Sequence, residues 1–235
     1  MKKKKITAIV LAGGSGSRMG ASCKKQYLPL GGRPVLSYSL QAFQESCVDA
    51  IVLVSQEAEY CKKEILEKYG IDKGTKIVPG GKERCDSVYA GLLAAEDSDY
   101  VLIHDGARPF VTQKMIRDSI RAVETYHACV IGMPVKDTIK IADEQNCARM
   151  TPKRDNIWQI QTPQTFSYPL ILEAYRKVRE EQPKGITDDA MVVEYGHFAK
   201  VRLIPGSYRN IKITTPEDME IAEVFLRNYE KEKEC

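Results

Sequence analysis

Length, composition and charge already exclude several classes of protein. The chain has 235 residues, enough for one full-sized domain, and its 43% hydrophobic and 29% charged residues exclude long intrinsic disorder. The net charge of +3 does not favour a basic nucleic-acid-binding surface, so we expect no nucleic-acid partner. No apolar run approaches the thickness of a bilayer, and the short one after the first lysines predicts a strand rather than a signal peptide. We therefore expect one domain over residues 1–235 and no membrane partner.

The cysteines bear on the compartment in which the protein works. There are seven, no two form a Cys-x-x-Cys pair, and none lies at zinc-ligand spacing with the three histidines. Free thiols in a reducing compartment fit this pattern best, so the sequence predicts a cytoplasmic protein.

The first half of the chain alternates apolar strand-like runs with amphipathic helical patterns. Strands are predicted at Ile6–Ala12, Ala50–Ser55, Lys76–Val78, Tyr100–His104 and Ala128–Met133. Helices are predicted from Pro34 onward and at Glu57–Tyr69, Arg84–Ala95 and Thr112–Tyr126. This succession predicts a Rossmann-like α/β fold, with a mostly parallel sheet flanked by helices.

The pattern changes after Pro134. Polar and apolar residues alternate over Asp137–Ala142 and the chain returns at Cys147–Thr151, which predicts a projecting β-hairpin arm at about residues 134–156. The elements predicted beyond the arm are a polar turn at Trp158–Gln164, helices at Tyr168–Glu181 and Thr187–Tyr195, a strand at Lys200–Ile204, a strand ending at Asn210–Thr214, and a final helix from Pro216.

The first predicted strand opens into the glycine-rich segment Leu11-Ala-Gly-Gly-Ser-Gly-Ser-Arg-Met-Gly20. Such a loop presents backbone N–H groups at the carboxyl edge of a sheet, where phosphates bind. It is not a P-loop, because no Gly-Lys-Ser/Thr follows, and Met19 occupies the third glycine position of a dinucleotide fingerprint. Arg18 in the loop and Lys25 beyond it suit a reacting triphosphate; the alternative is a tight turn with two solvated charges.

Three further polar segments follow predicted strands or open predicted helices. Pro79–Ser87 is a glycine turn at a helix start, suited to reading a base edge or a ribose, or else an ordinary capped helix entry. Asp105 lies just past a buried strand, where a metal–phosphate complex would sit; a helix cap is the alternative. Lys212 lies near the end of a predicted strand, where a lone lysine is usually solvated surface. The histidines are scattered, and we expect none to be a catalytic base.

Taken in order, these segments resemble the cytidylyltransferases of the non-mevalonate isoprenoid pathway. Members of that family transfer CMP from CTP to 2-C-methyl-D-erythritol 4-phosphate (MEP) and release pyrophosphate. The likeness runs from Ile6 to about Phe225. The motifs that carry it are Gly14-Ser-Gly-Ser-Arg18-Met, Lys25-Gln26, Gly80-Gly81 with Arg84 and Asp86-Ser87-Val, His104-Asp105-Gly-Ala-Arg108-Pro, Pro134-Val-Lys-Asp137-Thr138, Gln161-Thr162-Pro163-Gln164, Thr187-Asp188-Asp189-Ala190 and Asn210-Ile211-Lys212.

The resemblance implies roles at the nucleotide. The residues that would bind it are Ala12, Gly13, Gly14, Ser15, Gly16, Ser17, Gly81, Ser87, Asp105 and Gly106. Gly81 and Ser87 would recognise cytosine, and Asp105 would lie at the ribose and bind the cofactor Mg²⁺. The catalytic cations would be Arg18 and Lys25 at the triphosphate and the departing pyrophosphate, and Lys212 at the α-phosphate.

The resemblance also implies a site shared between two subunits. Thr162 and Thr187 would line the acceptor pocket. Thr138 and Arg154, on the arm, would grip the acceptor phosphate in the neighbouring subunit, so the implied assembly is a homodimer formed through the arm.

Three alternatives stay open at this point. Leu11-Ala-Gly-Gly resembles the related ribitol-5-phosphate cytidylyltransferases of teichoic-acid synthesis, whereas Val135-Lys-Asp-Thr-Ile-Lys140 resembles the isoprenoid branch. A nucleotide-binding regulator without activity is a second alternative, and the complete set of cations argues against it. A nicotinamide oxidoreductase is disfavoured by Met19 and by Ser55-Gln56, where a ribose-binding acid is expected.

Overall fold

The structure is a computed structural model that describes residues 3–13 and 24–234, with side chains described as far as residue 228. In chain order its strands are β1 (Ile6–Leu11), β2 (Pro29–Leu30), β3 (Arg33–Pro34), β4 (Ala50–Val54), β5 (Lys76–Val78), β6 (Tyr100–Asp105), β7 (Ala128–Pro134), β8 (Ile141–Ala142), β9 (Ala148–Met150), β10 (Trp158–Ser167) and β11 (Arg202–Pro205). The helices are α1 (Val35–Gln44), α2 (Ala58–Tyr60, continuing as a π-helical stretch over Cys61–Glu67), α3 (Arg84–Ala94), α4 (Gln113–Tyr126), α5 (Tyr168–Glu181), α6 (Asp189–Tyr195) and α7 (Pro216–Glu234).

Seven strands form the central sheet in the order β11-β7-β10-β6-β1-β4-β5. Every neighbouring pair is parallel except the two made by β10, which runs antiparallel to both β6 and β7. The predicted α/β fold with a mostly parallel sheet is confirmed. Each element predicted in the first half of the chain is present, with ends shifted by no more than two residues.

The sheet is buried on both faces, which explains why its strands are continuous apolar runs. Ala8 and Val10 of β1 pack with side chains of α1 and α4 on one face. Ile9 and Leu11 pack with side chains of α3 and α5 on the other. Because successive strand residues point to opposite faces, most positions of a strand that is covered on both sides favour apolar residues.

The predicted turn at Trp158–Gln164 is wrong, because this segment is the first part of β10. Its polar residues Gln161, Thr162 and Gln164 are buried and hydrogen-bonded internally, so polarity did not indicate a turn here. The ladder between β10 and β7 shifts register between Ile160 and Gln164, at the same point.

The predicted strand ending at Asn210–Thr214 is also wrong, because this segment lies outside the sheet. It is tied to the loop after β6 by the Ile213 N–H, which donates to the Ala107 carbonyl over 2.9 Å. The late strand predicted from Lys200 is present as β11, beginning two residues later.

The predicted arm is present as a hairpin of β8 and β9, in which Ile141 pairs with Met150 and Ala142 with Ala148. Every residue from Lys136 to Thr151 is exposed.

No helix in the described part of the chain is long and apolar enough to span a bilayer. The cysteines described there, Cys47, Cys61, Cys85, Cys129 and Cys147, are free thiols.

Candidate active site

The carboxyl ends of β1 and β6 meet at the edge of the sheet where the glycine-rich loop begins. Leu11 lies opposite Asp105 in the ladder, and the Gly106 N–H donates to the Leu11 carbonyl over 2.9 Å. A Cβ atom on Gly106 would lie 2.6 Å from Leu36 Cδ1 and 2.9 Å from the Leu11 carbonyl oxygen, so no side chain fits there. The Ala12 N–H donates to the Val54 carbonyl over 2.8 Å, which fixes the direction in which the loop leaves the sheet.

The turn before α3 reaches the same edge. Ser87 Oγ accepts from the Gly81 N–H and donates to the Glu83 carbonyl, both over 3.1 Å. A Cβ atom on Gly13 would lie 3.7 Å from this Oγ, so Ser87 lies close to Gly13. Glu83 and Asp86 form a capping box, which is the helix-entry role considered for this segment. Recognition of cytosine by Gly81 and Ser87 stays a prediction.

Three cations from the described part of the chain surround the carboxylate of Asp105. Lys212 Nζ lies 2.9 Å from Oδ2, Arg108 Nε lies 3.6 Å from the same oxygen, and Arg84 Nε lies 3.9 Å from Oδ1. Burial alone would raise the pKa of Asp105, but Lys212, Arg84 and Arg108 outweigh it and hold that pKa well below its ordinary value. Asp105 is therefore ionised at neutral pH.

Lys212 is held at this place by its neighbours in the segment outside the sheet. Asn210 is fully buried, and its Nδ2 donates to the Thr162 carbonyl over 2.9 Å and to Gln161 Oε1 over 3.3 Å. The Asn210 carbonyl accepts from Arg108 Nη1 over 2.8 Å. Lys212 is thus a residue of the site and not an isolated surface lysine.

Lys25 lies at the base of the glycine-rich loop. It begins a 3₁₀ turn, Lys25–Tyr27, in which the buried Gln26 donates from Nε2 to the Ala12 carbonyl over 2.6 Å. The other predicted loop residues, Gly14, Ser15, Gly16, Ser17 and Arg18, lie outside the described residues.

His104 and Thr162 form a buried network behind Asp105. Burial lowers the pKa of His104 to about 4, so the ring is neutral and carries a single N–H. Nε2 lies 3.2 Å from the Arg108 carbonyl, which can only accept, so the proton is on Nε2. Nδ1 must then accept from the Thr162 hydroxyl, 3.1 Å away, and that hydroxyl oxygen accepts from the Asp105 N–H over 3.1 Å. Both ring nitrogens of His104 are thus engaged, and Thr162 supports the backbone of Asp105.

The predicted acceptor residues differ in their surroundings. Thr162 is buried, whereas Thr187 is exposed and donates to Met191 Sδ over 3.1 Å. Thr138 and Arg154 are exposed on the arm, where Arg154 Nη1 donates to the Lys136 carbonyl over 3.3 Å. In the described part of the chain, neither arm residue forms a hydrogen bond or an ion pair with Asp105. Binding of the acceptor by these four residues stays a prediction.

Sequence reasoning assigned no role to Arg84, Asp189 and Tyr175, which form a hydrogen-bonded ion-pair network next to Asp105. Asp189 and Tyr175 are fully buried, and the Arg84 side chain is 29% exposed. Arg84 Nη1 and Nη2 lie 2.8 Å and 2.6 Å from the two Asp189 oxygens. The Tyr175 hydroxyl donates to Asp189 Oδ1 over 2.6 Å. No local pattern could have paired Arg84 with Asp189, because they lie 105 positions apart.

The described residues contain no group of three or more His, Cys, Asp and Glu side chains that could hold a metal ion. Asp105 is an ionised carboxylate at the sheet edge and belongs to no such group. Mg²⁺ is commonly bound by one or two carboxylates, with substrate phosphates and water as its other ligands. The donor set therefore fits a Mg²⁺ ion that arrives with a nucleotide and does not fit a permanent, all-protein metal site.

A carboxylate and several cations beside the start of a glycine-rich segment, at the carboxyl edge of a mostly parallel sheet, are features that suit nucleotide phosphates. A family model described as 2-C-methyl-D-erythritol 4-phosphate cytidylyltransferase matches residues 6–228. The chain belongs to this family.

Individual relatives agree with the family. The chain is 54% identical over 225 residues to the 2-C-methyl-D-erythritol 4-phosphate cytidylyltransferase of Lachnospira eligens, covering 94% of this chain and 99% of the relative. The crystal structure of the 4-diphosphocytidyl-2C-methyl-D-erythritol synthase of Anaerococcus prevotii superimposes with a TM-score of 0.85 at 38% identity, covering 95% of this chain and 96% of that one. The cytidylyltransferase of Thermus thermophilus gives a TM-score of 0.76 at 28% identity, with 93% and 98% coverage.

The network behind Asp105 predicts a cost for removing the Thr162 hydroxyl. Thr162→Val leaves the Asp105 N–H and His104 Nδ1 without partners, and at about 1–3 kcal/mol for each buried group we expect the free energy of unfolding to fall by about 2–6 kcal/mol. Urea unfolding measures this loss. Thr165→Val is the matched control, because Thr165 lies buried in the same strand and its hydroxyl lacks a hydrogen-bond partner of ordinary geometry, with the Cys129 thiol as its polar neighbour. Equal losses in the two variants would contradict the network.

Proposed function

We infer that this protein transfers CMP from CTP to MEP and releases pyrophosphate, in the biosynthesis of isoprenoid precursors. The observation that carries this inference is the pairing of Lys212 with Asp105 at the sheet edge, in a chain matched over residues 6–228 by the MEP cytidylyltransferase family. An oxygen of the MEP phosphate attacks the α-phosphorus of CTP and forms a new P–O bond. The bond to the β-phosphate oxygen breaks, and its electron pair leaves with pyrophosphate.

This reaction needs no general base from the protein. The attacking phosphate oxygen is already ionised at neutral pH, so no proton has to be removed from it. His104 is neutral, buried and occupied by Thr162 and the Arg108 carbonyl, which agrees with a purely structural role. Catalysis then consists of positioning the two phosphates and neutralising the charge that develops on them.

The cations around Asp105 supply the positive charge that would neutralise the phosphates. Lys212, Arg108 and Arg84 face the two carboxylates Asp105 and Asp189, which leaves one excess positive charge in the set before any nucleotide binds. The Lys212 side chain is 38% exposed, so it can turn from Asp105 toward an α-phosphate. Arg18 and Lys25 would hold the triphosphate and the departing pyrophosphate.

Asp105 would hold Mg²⁺ together with the nucleotide. The bound ion would neutralise phosphate charge and orient the triphosphate.

We further propose a cytoplasmic location, because free thiols such as the five described cysteines suit a reducing compartment.

The arm supports a homodimer in which each acceptor site is shared. Its strands are two and three residues long and fully exposed, and an isolated hairpin of this kind is marginally stable in water. Ile139, Ile141 and Met150 expose apolar side chains there, which a second copy of the chain could cover by a two-fold contact. Thr138 and Arg154 would then bind the acceptor phosphate in the partner's site.

The choice of acceptor is directly testable. With CTP and Mg²⁺, we expect rapid pyrophosphate release with MEP and far slower release with ribitol 5-phosphate. The measurement is kcat/KM for each acceptor, with CTP alone as the blank. An equal or higher value for ribitol 5-phosphate would reverse the assignment in favour of the teichoic-acid branch.

The cations should each be needed for turnover. Removing one charge aimed at the reacting phosphates costs about 3 kcal/mol of transition-state stabilisation. Lys212→Ala, Lys25→Ala and Arg18→Ala should therefore each lower kcat/KM by about 100-fold or more. Lys114→Ala is the control, since Lys114 is exposed on α4 and pairs with Asp118 one turn away. Near wild-type activity in Lys25→Ala would show that the loop is only a turn.

A shared site can be tested by mixing two inactive variants. Lys212→Ala disables a site from the body and Arg154→Ala disables one from the arm, so a mixed dimer has one site with both defects and one with neither. Random pairing makes half of the dimers mixed, and co-refolding should restore about a quarter of wild-type activity. If subunits demonstrably exchange and no activity returns, Arg154 acts within its own chain.

A further inference from the structure

Asp189, the first residue of α6, carries a fully buried carboxylate next to the predicted acceptor turn. Asp189 has no exposed surface, and both of its oxygens are used. Arg84 donates to each oxygen in a two-pronged fork, and the Tyr175 hydroxyl makes a third hydrogen bond to Oδ1. Arg84 is the first residue of α3, so the fork joins the starts of two helices.

Stability alone does not account for this arrangement. Removing two charges from water costs several kcal/mol per ion, and apolar residues of similar volume usually stabilise a fold as well or better. Burial opposes the charged form of Arg84, yet the Asp189 carboxylate keeps the pKa of Arg84 well above its ordinary value. The guanidinium therefore stays charged in a place where a charge is costly.

The same guanidinium also faces Asp105. Arg84 Nε lies 3.9 Å from Asp105 Oδ1, whereas Lys212 and Arg108 both approach Oδ2. Lys212 can leave for a phosphate, but the fork to Asp189 holds Arg84 in place. Among the described ion pairs of Asp105, that with Arg84 is the one on the Oδ1 side, and it stays in place when Lys212 turns toward a phosphate.

The other end of the fork is tied to the acceptor turn. Asp189 directly follows Thr187 and Asp188, and Gln164 of β10 holds this turn from behind. Its Nε2 donates to Asp188 Oδ2 over 2.8 Å, and its Oε1 accepts from the Ala190 N–H over 2.9 Å. One guanidinium thus connects the nucleotide-side carboxylate with the acceptor-side turn.

We propose that Arg84, locked by Asp189 and Tyr175, is a positioning residue that sets the geometry between Asp105 and the turn at residues 187–190. The proposal rests on the proposed function. Arg84 itself contacts neither reacting phosphate. It acts by keeping Asp105 and the turn at residues 187–190 at a fixed distance and orientation.

The test is kcat at saturating CTP and MEP, expressed per folded molecule. Arg84→Lys keeps the charge and loses the fork, and we expect kcat to fall about tenfold or more, because small displacements of reacting groups are costly. Asp189→Asn should have a similar effect, and the double variant should lose little more than either single one, because both changes break one unit. Tyr175→Phe keeps both charges and should lower kcat about threefold, the size of one weakened hydrogen bond.

Arg179→Lys is the matched control. Arg179 Nη1 lies 2.6 Å from Asp86 Oδ1, so this ion pair, like that of Arg84, involves the first turn of α3. It joins that turn to α5, and both of its side chains are about two-fifths exposed. It should keep the wild-type kcat. Thermal unfolding of every variant distinguishes a positioning role from a purely structural role. A purely structural role would lower Tm and leave kcat per folded molecule unchanged.

A wild-type kcat in Arg84→Lys would overturn the proposal, provided that the wild type is active with MEP. If Arg84→Lys does not fold, Asp189→Asn and Tyr175→Phe decide in the same way, and a wild-type kcat in either folded variant overturns it. If the wild type itself releases no pyrophosphate with MEP, the proposed function fails and this proposal with it.

Discussion

The buried carboxylate of Asp105 is the group on which the rest of the site depends. A buried charge is tolerated only with partners, and this one lies at the end of β6 with a side chain that is 13% exposed. Its partners come from three separate segments: the start of α3, the loop after β6 and the stretch after β11. Satisfying one carboxylate therefore draws three parts of the chain together and shapes the site before any substrate binds.

The partners are not equivalent, and their differences suit a reaction of phosphates. The side chains of Arg108 and Arg84 are 12% and 29% exposed and are tied to other groups, whereas Lys212 is the most exposed of the three. Lys212 can therefore turn toward a phosphate without leaving Asp105 unpaired. The surplus positive charge is built into the fold, so little reorganisation is needed when a polyanion arrives.

The sequence correctly predicted strands that bury mainly apolar side chains. It did not predict the part of β10 that buries polar side chains. β1, β4 and β6 are covered on both faces, and their continuous apolar runs left little choice of structure. The polarity of Gln161, Thr162 and Gln164 predicts a turn over the first part of β10, although each is buried and has hydrogen-bond partners inside the protein. Hydropathy reports the side chain and not its partners, so polar residues buried within a strand look like surface.

Long-range ion pairs lie beyond local patterns for a related reason. The motif containing Arg84 and the motif containing Asp189 could each be recognised, but nothing in either one indicates that the two side chains meet. The pairing follows only when the sheet order brings α3 and α6 to the same edge. The resemblance to a family named Asp105, Lys212 and Thr162 as candidate site residues, whereas the structure was needed to show which side chains contact one another.

The antiparallel direction of β10 explains why the site includes polar residues from the interior of the sheet. Gln164 pairs with Ile103, so the residues before Gln164 run toward the carboxyl end of β6, where Asp105 lies. Phe166, two residues later, lies in the apolar core. The strand thus changes from polar to apolar as it leaves the site. Its polar part supports Asp105 through Thr162 and the acceptor turn through Gln164, so both halves of the site rest on one strand.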